Sequence, residues 1–312
     1  MQKKTQYRVK NWSYYNDSLV KRGDVTIWFD EESISKWHNR ENPKKKGRPL
    51  FYSAMAIQCP LTIRAIFKLP LRATEGFLRS LIRSLCLEIK CPDYTTLCKR
   101  QNGLQISLPR HVASSKPIHL VIDSTGLKVY GEGEWKVRQH GHNKRRTWRK
   151  LHLAIDSSSH LILSAALTTN DFKDSELLPD LISSVKDKDK IFKISADSGY
   201  DSFNCYDEIK KIGAEPLIPP RQDAVVSNGK DSLKCGRDDV VNDINMIGIK
   251  QWKIESNYYK RSLSETGMYR YKTIFGQNLS SRKFENQCTE SFIKCATLNK
   301  ITNLGMCQSY RM

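Results

Sequence analysis

The spacing of apolar residues changes character at Pro117, and nothing else in the chain constrains its fold as strongly. Before that point the pattern is helical. Tyr52 to Phe67 carries Met55, Ile57, Leu61, Ile63 and Ile66, and Arg72 to Leu87 carries Phe77, Leu78, Leu81, Ile82 and Leu85. These spacings return to one face of an α-helix. After Pro117 come short apolar runs bounded by turn residues. Ile118 to Asp123 reads as a buried strand and Leu127 to Gly131 as the second arm of a hairpin. Lys150 to Asp156 and Leu161 to Thr168 form a further strand pair about the turn at Ser157 to His160. Alternation follows: helix Ser175 to Val185, strand Ile191 to Ala196, helix Phe203 to Ile212 and strand Ala214 to Ile218, then helices over about 237–248 and 256–274. Strands first, then strands alternating with helices, predict an α/β fold whose mixed sheet is flanked by helices. The expected divisions are 1–50, an arm with a basic linker; 51–112, all-helical; 113–305, the sheet domain; and 306–312, a tail.

Charge narrows the partners. Lys and Arg number 52 against 33 Asp and Glu, a net +19, which attracts polyanions. No apolar run reaches transmembrane length, and the first residues lack an apolar signal core. The expected location is therefore the cytoplasm, with no membrane partner. The nine cysteines form no CxxC pair, so reduced structural thiols are expected.

The cations gather in three places. Asn42-Pro-Lys-Lys-Lys-Gly-Arg-Pro49 is basic and rich in breakers, as suits a strap over DNA or a solvated linker. Between Trp135 and Lys150, the side chains of Lys144, Arg145, Arg146, Arg149 and Lys150 suit phosphates, and Trp148 suits stacking on a base. A long hairpin with solvated charges fits the same residues. In the third, Asp93 caps a short helix from Tyr94 to Asn102 that bears Thr95, Thr96, Lys99 and Arg100. Following a helix and a short turn, it has the makings of a helix-turn-helix reader, or of an ordinary helical bundle. Nearer the N-terminus, Val25 to Phe29 reads as a short strand or an apolar anchor, and Glu31 to His38 as a helix capped by Asp30.

Three acids stand out. Asp123 and Asp197 each end an apolar strand, and Glu265 lies in a segment read as one helix, with Tyr258, Arg261 and Lys272 on the same stripe. If the two strands are parallel neighbours, both aspartates emerge at one sheet edge, where α/β sheets put their sites. Such carboxylates are hard ligands suited to Mg2+ or Mn2+ and to phosphodiester displacement. The competing reading makes the aspartates turn formers or caps, and Glu265 with Arg261 or Lys272 a surface ion pair worth under about 1 kcal/mol. Other carboxylates compete: Asp156 also ends a strand, Asp171 and Asp174 are placed to cap a helix, and Asp201 follows Tyr200.

At this point the chain resembles a bacterial insertion-sequence transposase of the DDE type. The likeness is to the IS four/five superfamily, and most to its Tn-nine-oh-three-related branch. The segment from Tyr258 to Lys272 carries the family's Tyr, Arg, Glu and Lys at matching spacing. Ile122-Asp123-Ser-Thr-Gly126, Gly131-Glu-Gly-Glu-Trp135, Lys144-Arg-Arg-Thr-Trp-Arg-Lys-Leu-His152, Ala196-Asp-Ser-Gly-Tyr-Asp201 and Ile218-Pro-Pro-Arg221 match as well, as do Asn11-Trp-Ser-Tyr-Tyr-Asn16 and Trp28-Phe-Asp30. The resemblance implies an RNase H-like catalytic domain with Asp123, Asp197 and Glu265 as the metal-binding triad. It implies that Tyr258, Arg261 and Lys272 contact DNA near the reacting end. Inverted-repeat binding, assembly as a homo-oligomer on double-stranded DNA, cleavage and strand transfer follow from it too. Ser198 and Gly199 stand where relatives often carry Gly and Ala, and Gly267 softens the helix of Glu265 by about 1 kcal/mol. A non-catalytic DNA-binding protein that occupies repeat ends is the alternative function.

Overall fold

A computed structural model describes residues 7–39, 50–109, 116–129, 148–227 and 236–311. The basic segment 42–49 and Lys144, Arg145 and Arg146 lie outside the described residues. Two compact units divide the chain, residues 1–106 with 296–312, and residues 107–295.

The described residues of the first unit are helical apart from one small ribbon and an isolated bridge. Its strand β1 (Tyr7–Val9) pairs antiparallel with the last strand of the chain, β8 (Ser309–Arg311). Between them come α1 (Trp12–Lys21), α2 (Val25–Trp28) and α3 (Glu31–Ser35), then α4 (Ala54–Phe67), α5 (Leu71–Ser84) and α6 (Tyr94–Arg100). Residues Val25–Trp28 are helical, not a strand, because the Asp24 carboxylate accepts from Thr26 N–H at 2.9 Å and caps the turn. Asp30, Ser53 and Asp93 cap α3, α4 and α6 in the same way. The helix expected up to His38 stops at Ser35, and His38 instead bridges to Tyr52.

The expected short turn before α6 is a nine-residue connection, 85–93. The short turn of this unit lies earlier, between α4 and α5, where Lys68 takes left-handed backbone and Pro70 opens the next helix. Among the described residues no single helix is long and apolar enough to cross a membrane.

Among its described residues the second unit is built on a sheet of six strands. Its elements are β2 (Ile118–Val129), β3 (Trp148–Asp156), β4 (Ile162–Thr169), α7 (Asp174–Ser184), β5 (Ile191–Ser195), α8 (Phe203–Lys211) and β6 (Glu215–Leu217). After these come α9 (Arg237–Ile247), α10 (Ile249–Glu255), α11 (Ser262–Phe275), β7 (Asn278–Leu279) and α12 (Phe284–Leu304), the last of which runs through the division at residue 296. The strand order is β4-β3-β2-β5-β6, with β7 added to β2. Strands β4, β3 and β2 form an antiparallel meander, and β5 and β6 join parallel to β2. This is the RNase H-like arrangement. Ile118, Leu120 and Ile122 alternate onto one face and pack on Leu178 and Leu181 of α7 and Tyr206 and Ile209 of α8.

Two expectations change here. Residues 118–129 form one continuous strand, so Asp123 sits in mid-strand and not at a strand end. Gly126 is no turn residue: it pairs with Lys150, and a Cβ there would lie 3.2 Å from the Trp148 ring. Nor is 256–274 one helix. Asn257 breaks it in left-handed backbone (φ 62), a 3-10 turn covers Tyr258–Arg261, and α11 begins at Ser262.

Candidate active site

The register of β2 against β5 brings the two aspartates together. Val121 pairs with Ser195 in parallel, and two residues further along each segment are Asp123 and Asp197. Asp197 lies just past β5, where it caps a 3-10 turn by accepting from Gly199 N–H at 2.9 Å. Asp123 has the opposite parity to Ile122, so its side chain leaves the α7 face of the sheet and meets α11.

There its carboxylate is held on three sides. Oδ1 accepts from Ser124 N–H at 2.8 Å; Oδ2 accepts from Arg261 Nη1 at 2.9 Å and from Ser264 Oγ at 3.1 Å. The other arm of Arg261 donates to Glu265 Oε1. One guanidinium thus bridges an acid of β2 and an acid of α11. Burial pushes the Asp123 carboxyl up from the usual carboxylate range; Asp197 adds to the rise, while Ser124, Arg261 and Ser264 oppose it. Glu265 is the open member, with its side chain 58% exposed against 13% for Asp123.

The expected DNA contacts separate into two groups. Tyr258 is buried, its hydroxyl donates to Ala196 C=O at 3.1 Å, and burial pushes it up to about 12. It braces the segment that carries Asp197. Arg149 donates to Gln287 at 3.0 Å and lies over the Phe284 ring; Lys150 donates to Asp174 at 3.1 Å and to Phe172 C=O at 3.2 Å. Trp148 fills the space left by Gly126, with Lys128 over its ring. Lys272 is partly exposed near the end of α11. On α6, Thr95 and Thr96 both bond the Asp93 cap and Arg100 bonds Tyr52 C=O, which leaves Lys99 exposed.

Asp174 is a neighbour that the sequence reading treated as a cap. The cap is Lys173, and Asp174 is the first residue of α7. Its carboxylate accepts from Ser124 Oγ at 3.1 Å and pairs with Lys150, with His152 Nδ1 at 3.9 Å. Burial holds His152 neutral, pushed down to about 4, and its Nε2 shares a 2.9 Å hydrogen bond with Thr168. The Tyr200 hydroxyl is buried among the charges of Asp174, Asp197 and Asp123, without a hydrogen-bond partner among the described residues. A polar residue opening a helix beside a strand lysine was the available signal for Asp174; Tyr200 was marked only by its place in the motif from Ala196 to Asp201, and Ser264 carried none.

Two other competing acids, Asp156 and Asp201, are structural, while Asp171 is exposed beyond β4. Asp156 holds the β3–β4 turn through Ser158 and Ser159. Asp201 takes Arg237 on both oxygens at 2.7 and 3.1 Å, and accepts from Arg221 N–H. Gly267 also has a packing reason. It faces β3, where a Cβ would fall well inside 3.0 Å of the Ile155 Cδ1.

Among the described residues no three metal-type side chains converge closely enough to ligate an ion as they stand. The donor chemistry fits one all the same. Asp123 and Asp197 are like charges at one edge, burial disfavours the first, and Arg261 already supplies a positive charge between Asp123 and Glu265.

Residues 114–300 match a family model described as Transposase DDE domain, and residues 20–132 match a second model of the same description. Two solved structures are similar. One is the simian T-cell lymphotropic virus intasome in complex with PP2A regulatory subunit B56 gamma, at 15% identity over 74% of each chain with a TM-score of 0.24. The other is the Drosophila P element transposase strand transfer complex, at 9% identity over 94% of this chain and 86% of that one with a TM-score of 0.30.

Proposed function

This chain belongs to the Transposase DDE domain family, whose match over residues 114–300 spans more than half of it, and we propose that it moves an insertion sequence. In this reading it binds the element's terminal inverted repeats as a homo-oligomer on double-stranded DNA, in the bacterial cytoplasm. It cuts a strand there and joins the freed 3′ end to target DNA. The IS four/five superfamily, Tn-nine-oh-three-related branch, is the finer placement.

Asp123, Asp197 and Glu265 would hold divalent ions, Mg2+ with Mn2+ able to substitute. Bound there, such ions supply charge to the attacking and leaving oxygens of phosphodiester displacement. The chain's own residues set the stage. Ser264 and Ser124 fix the Asp123 carboxylate, Tyr258 anchors the segment of Asp197, and Arg261 can leave the acids for a DNA phosphate, while Lys272, near the other end of α11, can meet the DNA further along. The observation that carries this reading is the Arg261 bridge, which ties acids of two distant elements into one cluster.

The test is cleavage and strand transfer on a labelled end of the element, with Mg2+, with EDTA, and with Glu265→Gln. Mg2+-dependent nicking that the variant loses while it keeps binding supports the reading. Binding without cleavage in either protein supports a non-catalytic occupant of repeat ends. Absence of both sinks the two together.

A further inference from the structure

Helices α4 and α5 turn through 109° across the three residues Lys68-Leu69-Pro70, with Lys68 at φ 53. Two helices at about 90–120° on a turn of three or four residues make a helix-turn-helix, and its second helix enters the major groove. Here that second helix is α5. It is fourteen residues long and two-faced. Thr74, Leu78 and Ile82 are buried, while Arg72, Gly76, Arg79, Ser80 and Arg83 are exposed. Arg72, Gly76, Arg79 and Arg83 stand at offsets of four, seven and eleven, a single stripe along the helix.

Gly76 is the telling member. An added Cβ would meet nothing within 4 Å. Among the described residues no packing asks for glycine there, and glycine is disfavoured in a helix interior. A bare backbone on a cationic face fits the close approach of something outside the chain. The flanking arginines are held ready. Arg79 pairs with Glu75, whose other oxygen accepts from Tyr94 N–H at 2.7 Å, and Arg72 lies 4.7 Å over the Tyr94 ring. The start of α6 thus acts as a support for α5. Its own threonines are spent on Asp93.

We propose that α5, and not α6, is the helix that enters the DNA major groove, with Arg72, Arg79 and Arg83 contacting bases and phosphates and Gly76 at closest approach. The proposal takes its ligand from the transposase reading above. Fluorescence anisotropy tests it, with the full chain, a duplex of the element's terminal repeat and a scrambled duplex, over a series of salt concentrations. Arg79→Ala and Arg83→Ala each weaken repeat binding by about tenfold, and Lys99→Ala by under about threefold. Gly76→Ala melts at the same or a higher temperature yet binds more weakly, a pairing that a purely structural glycine would not give.

The α5 proposal is overturned if its variants bind both duplexes as tightly as the wild-type chain does. If the wild-type chain binds the two duplexes alike, the repeat-end reading falls. The surface is then decided by whether the arginine variants lose that shared binding, each with a salt slope shallower by about one phosphate contact.

Discussion

Gly267→Ala tests how closely α11 sits on the sheet. Two effects compete. Alanine in a helix interior gains about 1 kcal/mol over glycine. Against that, the new Cβ meets Ile155 Cδ1 well inside 3.0 Å, in a side chain only 1% exposed. Overpacking of this kind costs about 1–3 kcal/mol, so the single variant is expected to lose roughly 1 kcal/mol net. Ile155→Val removes the offending Cδ1 and alone costs about 1 kcal/mol. In the double variant the clash is gone and the helix gain is realised, so stability returns to within about 0.5 kcal/mol of the wild type. Urea unfolding of the four proteins measures this, with a coupling near 2 kcal/mol expected. Cleavage should follow, because Glu265 lies two residues before Gly267 and small misplacements of a reacting group are costly. Additive losses, or a stabilised Gly267→Ala, would refute the close packing as the reason for glycine here.

Further outcomes follow from the same geometry. His119 and His152 are both pushed down to about 4, chiefly by burial, from an unfolded value of 6.5. A depressed folded value means their contribution is present above pH 6.5 and lost as pH falls toward 4. Unfolding at pH 7 and pH 5 should differ by about 2 kcal/mol per histidine, and a flat profile would count against their burial as neutral rings. Tyr200→Phe removes a buried hydroxyl without a partner among the described residues and should raise stability by about 1 kcal/mol in a thermal melt; a loss would reveal a hidden bond. Arg261→Ala leaves Asp123 beside Asp197 without its cation and should cost about 2 kcal/mol in urea unfolding. Arg261→Lys should recover little of that cost, since a single ammonium lacks the fork that spans both acids.

The sheet was largely legible because buried strands announce themselves as apolar runs; the parallel pairing of β2 with β5 was only a condition for the site, and the register of Val121 on Ser195 meets it. Asp123 was misplaced at a strand end because Ser124-Thr-Gly126 carries a turn signature. Only the approach of Trp148, distant in sequence, explains why glycine sits inside the strand. The stripe from Tyr258 to Lys272 was read with one helical period, yet Asn257 and the 3-10 turn after it rotate Tyr258 into the core. Periodicity cannot say what a stripe faces. Arg261 was expected at DNA, and here it holds two carboxylates. The break between α4 and α5 was legible but its sharp turn was not, because a lysine, not a glycine, takes its left-handed position.

The ribbon of β1 with β8 imposes a timetable on biosynthesis. Asn11 bonds Met306 across 295 residues, and the space against Tyr14 and Ser18 admits only the bare Gly305. At about 5–20 residues per second, the helices made first wait roughly 15–60 s on the ribosome for their last partners. Residues 107–295 meanwhile emerge with all the described strands of their sheet. The unit that carries α5 is thus begun first and closed last, and a nascent chain holds a finished sheet before its helical unit is complete.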